Sequence, residues 1–167
     1  LYVRKSNVHL KGSAKAKLVY HGLGMNETCM LFVGAENNIT PVENVKIENI
    51  QFDATNQEYK GGADENNKTL TSPNAYNKGM IGIEIKYCRN VKVENCILNE
   101  IYGTGIRTHY SNTIIIDENT LYNCSGSNAF GADSFGDGIV FFACFNCKAI
   151  NNNLFNKRVY KSEEIDY

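Results

Sequence analysis

Three segments of the 167-residue chain can be laid over one another: residues 82–98 (GIEIKYCRNVKVENCIL), 105–121 (GIRTHYSNTIIIDENTL) and 138–155 (GIVFFACFNCKAINNNLF). Each opens on Gly-Ile and closes on a short apolar alternation. The first two begin 23 residues apart and the third begins 33 residues further on, the excess being an insert rich in Gly, Ser, Asn and Asp. Self-similarity at a fixed period of this size marks a solenoid, in which equivalent residues of successive coils stack and side-chain columns can be read from sequence.

Within each unit two strands are legible. The first is Ile83-x-Ile85, Ile106-x-Thr108 and Ile139-x-Phe141; the second is Val91-x-Val93, Ile114-x-Ile116 and, less cleanly, Lys148-x-Ile150, joined by Val8-x-Leu10 and Val45-x-Ile47. A third inward pair follows: Ile50 and Phe52, Cys96 and Leu98, Asn119 and Leu121, Asn153 and Phe155. Alternation at period two with β-branched residues predicts strands. The leucine-rich repeat is a rival, since Ile114-x-Ile116-x-x-Asn119-x-Leu121 fits its core pattern. That fold needs a helical return, and residues 99–110 and 122–138 carry Gly and Ser but no helical stripe. The expectation is an all-β, right-handed, single-stranded parallel β-helix of about 23 residues per coil, one domain over residues 1–167 with long loops at 53–80 and 125–137. The chain starts at Leu1, so it is expected to be a piece of a longer polypeptide.

Composition narrows the function classes. With 17 basic and 18 acidic residues and no Lys/Arg block, the chain has no electrostatic footprint for nucleic acid. Its apolar runs are too short for membrane insertion by a helix. Six cysteines (Cys29, Cys88, Cys96, Cys124, Cys144, Cys147) are expected to be free thiols of a protein folded in a reducing cytosol. Cys88, Ser111 and Cys144 share a column, and Cys96 shares one with Ile50, Asn119 and Asn153, as buried thiols would. Cys144-x-x-Cys147 has no second CxxC, and His9, His21 and His109 lack ligand spacing, so no metal or cofactor is expected. Twenty-three asparagines against two prolines supply residues that tolerate the left-handed conformation at tight corners.

The pattern GI-x-[IVF], a turn, NV-x-[IV]-x-N and an apolar pair resembles the coils of pectin-lyase-like right-handed β-helices. That superfamily includes pectate lyases, polygalacturonases and the tailspikes and depolymerases of bacteriophages. Residues 6–12 (SNVHLKG) look like the first coil of such domains. The resemblance is architectural and identifies coils rather than a reaction.

The long segments 53–80 and 125–137 both precede a Gly-Ile strand and are expected to wall a groove on one face. If the first-strand isoleucines point inward, Glu84 and Lys86, Arg107 and His109, and Val140 and Phe142 point out on successive rungs. Glu84 can then pair with Arg107, either as a ligand group or as an ordinary surface pair. Lys86, His109 and Phe142 form an exposed column of cation, imidazole and aromatic that suits a sugar. For acid/base work, Asp137 in Gly-Asp-Gly-Ile resembles the strand start that carries a catalytic acid in polygalacturonases, with Asp133 nearby and Glu164 at the equivalent place one coil on. The Asn-Thr, Gly-His-Gly and Arg-x-Lys elements of that family are absent.

These features lead to a segment of a phage tailspike or appendage that binds a cell-surface polysaccharide or wall polymer such as teichoic acid and, where the carboxylates act, cleaves it. Such a protein would be folded in the bacterial cytosol, carried on the virion, and homotrimeric. The alternatives are a secreted bacterial polysaccharide hydrolase or lyase and a non-catalytic β-helical spacer.

Overall fold

The repeat closes into three parallel sheets in the computed structural model, which describes residues 1–13, 16–21, 29–37, 39–56, 80–101, 103–124 and 138–155. The strands in chain order are β1 (Tyr2–Val3), β2 (Val8–Lys11), β3 (Lys17–Val19), β4 (Cys29–Gly34), β5 (Val42–Glu48), β6 (Gln51–Asp53), β7 (Met80–Lys86), β8 (Cys88–Glu94), β9 (Ile97–Asn99), β10 (Gly103–His109), β11 (Asn112–Asp117), β12 (Thr120–Tyr122), β13 (Ile139–Phe142), β14 (Lys148–Ile150) and β15 (Asn153–Phe155). Every third strand pairs, giving a first sheet β1-β4-β7-β10-β13, a second β2-β5-β8-β11-β14 and a third β3-β6-β9-β12-β15. All pairings are parallel. The described residues carry no helix, which removes the leucine-rich repeat and leaves the expected right-handed parallel β-helix.

Inward columns fill the lumen. Leu31, Ile83, Ile106 and Ile139 stack in the first sheet, and Val8, Val45, Val91 and Ile114 in the second. Phe52, Leu98 and Leu121 stack in the third, fully shielded. Each such side chain contributes roughly 1.5–3 kcal/mol of burial, delivered through contacts with the coil on either side. The opening glycine of each repeat has a steric cause. A Cβ at Gly82 or Gly105 would lie 2.7 or 2.6 Å from a Cδ2 of Leu98 or Leu121, and one at Gly138 would collide with Leu154. The carbonyl oxygen of the next coil's glycine, 2.6 Å from a Cβ at Gly82 or Gly105, closes the space from the other side, and only a residue without a side chain fits.

Corners fall at positive φ. Asn7, Asn44, Asn90 and Asn146 occupy one, with Thr113 interrupting; Asn49, Asn95 and Asn151 occupy the next, with Glu118. Here the asparagine surplus is placed, and the side chains also join coils, Asn90 donating to Asn44 at 2.8 Å and Asn44 to Asn7 at 3.0 Å.

The last unit corrects the expected register by one residue. Ala149 pairs with Ile116, and Lys148 and Ile150 face outward beside Ile115 and Asp117. Leu154 pairs with Leu121, so Asn153 and Phe155 also face outward and Asn152 takes the inward place. The spacing explains the slip: eight residues separate Ile83 from Val91, Ile106 from Ile114, and Ile139 from Cys147. The column of Ile50 and Cys96 therefore continues through Asn119 and Asn152, not Asn153. Buried Asn119 accepts from the Cys96 amide at 3.0 Å and donates to the Val93 carbonyl at 3.1 Å, while Asn152 accepts from the Asn119 amide at 2.9 Å. Cys88, Ser111 and Cys144 share their column as expected, Ser111 Oγ accepting from the Cys88 amide at 3.1 Å. All six thiols are unbridged; burial pushes Cys88 up to about 12 and Cys96 up to about 11, so both stay protonated and unreactive at neutral pH.

Candidate functional site

Period-two alternation along β7, β10 and β13 places Glu84 beside Arg107 beside Val140, and Lys86 beside His109 beside Phe142, on the outer face of the first sheet. This is the arrangement expected from sequence. Beneath it Ile83, Ile85, Ile106 and Thr108 are sealed in the lumen, where the Thr108 hydroxyl has no hydrogen-bond partner among the described residues.

The first column is a charge pair. Arg107 donates from Nε and Nη2 to Glu84 Oε2 at 3.0 and 2.7 Å. Side-chain exposures of 14% and 6% show that this is a shielded pair, not the ordinary surface pair the sequence also allowed. Shielding changes its energetics: desolvation of both groups is already sustained, so removing one partner strands the other. His109 Nδ1 stands 3.9 Å from Glu84 Oε1, completing a Glu, Arg, His cluster. Burial and the charge of Glu84 push the Cys29 thiol up.

The second column is open. Phe142 is half exposed, and its ring centroid lies 5.3 Å from that of His109 and 5.8 Å from that of Tyr110. Tyr110 in turn stacks on Tyr87 at 5.4 Å with an interplanar angle of 16°. Lys86 Nζ sits 5.4 Å above the Tyr87 ring, within cation–π range. Sequence reasoning found Lys86, His109 and Phe142 but missed the two tyrosines. They sit at the corner after each strand, where alternation does not say which way a side chain points. The available signal was their 23-residue separation. Such an arrangement of ring faces flanked by a cation and an imidazole can stack an apolar ring face and donate hydrogen bonds to its substituents.

Asp133, Asp137 and Glu164, the carboxylates singled out for acid/base work, lie outside the described residues, as do 57–79 and 125–137, the bulk of the two expected walls. Among the described residues no group of three His, Cys, Asp or Glu side chains is placed to hold a metal ion.

The outer face of the second sheet is built differently. Lys11 and Lys46 clasp Glu48, Lys46 and Lys92 clasp Glu94, and Lys92 reaches Asp117 at 3.5 Å. The Lys11 and Lys46 ammoniums hold Glu48 down at about 2, and Lys46 and Lys92 lower Glu94. Asp53, on the third sheet, stays below its ordinary range because Lys17, Thr55 and Asn99 outweigh the opposing effect of burial. On this face of the second sheet the charges of Glu48 and Glu94 are met from within.

A coiled chain of three parallel sheets with glycine-opened repeats is a right-handed β-helix, and the family model for the right handed beta helix region matches residues 6–162. The chain belongs to that family. It is similar to a crystal structure of a "putative glycosyl hydrolase" from Parabacteroides merdae ATCC 43184, at 17% identity and a TM-score of 0.43, over 91% of this chain and 73% of that one. No curated protein matches the sequence.

Proposed function

We propose that the outer face of the first sheet binds a cell-surface polysaccharide or wall polymer such as teichoic acid, and that the chain is a segment of a trimeric phage tailspike or appendage. The observation that carries this reading is the open column of Lys86, His109 and Phe142 continued by Tyr110. Rungs about 4.8 Å apart offer ring faces and donors along the solenoid axis, the direction in which a polymer presents successive sugars. Phe142 and Tyr110 stack the sugar faces; Lys86 and His109 bond hydroxyls or meet a carboxylate or phosphate. The shielded pair of Glu84 and Arg107 holds the floor in place, with Arg107 the group through which an anionic substituent would be felt.

Cleavage, in this reading, rests on Asp137 as the acid, with Asp133 and Glu164 as the other carboxylates. Glycoside hydrolysis needs one protonated and one ionised carboxyl across the scissile bond. The test is incubation with a panel of bacterial wall polymers and capsular polysaccharides, following retention of the protein and release of fragments. Asp137→Asn is expected to keep retention and lower release by orders of magnitude, since an amide cannot exchange the proton. Retention without release in the wild type reduces the reading to binding alone, and neither on any polymer leaves a β-helical spacer.

A further inference from the structure

The corner between the first and second sheets departs from the asparagine rule that governs its neighbours. It is made of Tyr87, Tyr110 and Ala143, at φ 54°, 47° and 50°. A bulky non-glycine residue is disfavoured there, and Asn would have been the easy choice. What the tyrosines give in exchange is a pair of outward-projecting phenol rings, stacked one per rung. A second column starts immediately beyond the corner, where Arg89 pairs in register with Asn112, and Asn112 with Phe145.

Between the two columns lies an open cleft of about 320 Å³, with Pro41 also in its lining. That volume is at the low end of the range for small-molecule sites, about 300 Å³. Its walls are mixed. Tyr110 is 48% and Phe145 72% exposed, so both offer ring surface to a ligand. Arg89 commits Nη1 to Glu43 at 2.9 Å, and among the described residues its other N–H groups remain to offer. Asn112 Oδ1 accepts from Thr113 Oγ1 at 2.9 Å, which leaves its amide N–H groups as donors. On the third rung the tyrosine gives way to Ala143, and the small side chain opens the floor beside Phe145.

We infer that this corner cleft is a further saccharide subsite, adjoining the face of the first sheet and sharing Tyr110 with it, that takes one neutral pyranose ring. The apolar C–H face of the ring lies against Tyr110 and Phe145, and its hydroxyls accept from Arg89 and Asn112. The inference extends the glycan-binding reading to a second place on the solenoid. Stacking aromatics with flanking planar donors recognise a sugar rather than a lipid chain, which would leave the donors unmatched.

The experiment is NMR titration of the whole chain with methyl β-glucoside, methyl β-galactoside and methyl β-N-acetylglucosaminide, following the aromatic resonances of Tyr87, His109, Tyr110, Phe142 and Phe145. Saturable millimolar shifts are expected at Tyr87, Tyr110 and Phe145 for at least one glycoside. Phe145→Ala, which removes a largely solvent-exposed ring, is expected to weaken them by roughly 2–10-fold. Shifts confined to His109 and Phe142, or no shift with any of the three, overturn the corner subsite. If the corner shifts appear while wall polymers are not retained, the corner stands and the reading of the first-sheet face fails.

Discussion

The outer faces of the first and second sheets share one solenoid and comparable strand lengths, yet they carry opposite kinds of surface. On the second, Lys11, Lys46 and Lys92 interleave with Glu48, Glu94 and Asp117, so the carboxylates are answered by side chains of the same or the preceding coil. On the first, the ladder is interrupted: one shielded pair, Glu84 with Arg107, is followed by Lys86, His109 and a half-exposed Phe142 beside stacked tyrosines. The difference teaches that β-helix coils need only their inward residues to stack. What faces outward is free to close on itself, as in the second sheet, or to stay open to solvent, as at Phe142 and Tyr110 beside the first.

The largest way to break this comparison is to remove the shielded cation. Arg107→Ala strands Glu84 at 5% exposure and is expected to cost about 3–5 kcal/mol in urea unfolding. The double replacement Glu84→Leu with Arg107→Leu should recover most of that loss. A loss under about 1 kcal/mol for the single variant would mean that the pair behaves as an exposed one.

A smaller effect separates the two sides of the same strand. Thr108 faces inward between Ile85 and Phe141, its hydroxyl unpartnered among the described residues. Thr108→Val should therefore raise stability by about 1 kcal/mol and leave ligand retention unchanged, because its neighbours Arg107 and His109 keep their places on the outer side.

The smallest effects belong to the second sheet. Lys92→Ala is expected to cost less than about 1 kcal/mol, and high salt should erase the difference. The ladder also has a pH signature of definite sign. Glu48 titrates at about 2 in the folded chain against 4.5 ordinarily, so its contribution is complete above about pH 4.5 and is lost as the pH falls through 2. Acid unfolding curves should show Lys46→Met reducing that slope; an unchanged slope would place the acid sensitivity elsewhere.

Much of this was legible in the sequence because a stacked repeat converts spacing into position. The Gly-Ile openings gave the first-sheet columns, and alternation gave the outward set of Glu84, Lys86, Arg107, His109 and Phe142. The last coil slipped by one because Ile150 and Phe155 are more apolar than Cys147, Ala149 and Asn152, and in a strand a one-residue shift exchanges the two faces. Strands β1 and β4 of the first sheet escaped notice because they lack the Gly-Ile opening, although Leu31 and Val33 alternate as Ile83 and Ile85 do. The tyrosine corner was missed because a residue at positive φ belongs to neither face of the alternation. The shielding of Glu84 was beyond the sequence altogether, since it depends on how neighbouring coils cover the pair.

The contrast between an open face and a closed one is tested most directly by measuring retention of one wall polymer by Phe142→Ala and Lys92→Ala in parallel, by affinity electrophoresis at fixed salt. The account predicts that Phe142→Ala weakens retention by roughly 5–150-fold, the equivalent of about 1–3 kcal/mol for one aromatic contact, while Lys92→Ala matches the wild type. Equal retention by both variants, or a loss confined to Lys92→Ala, would contradict it.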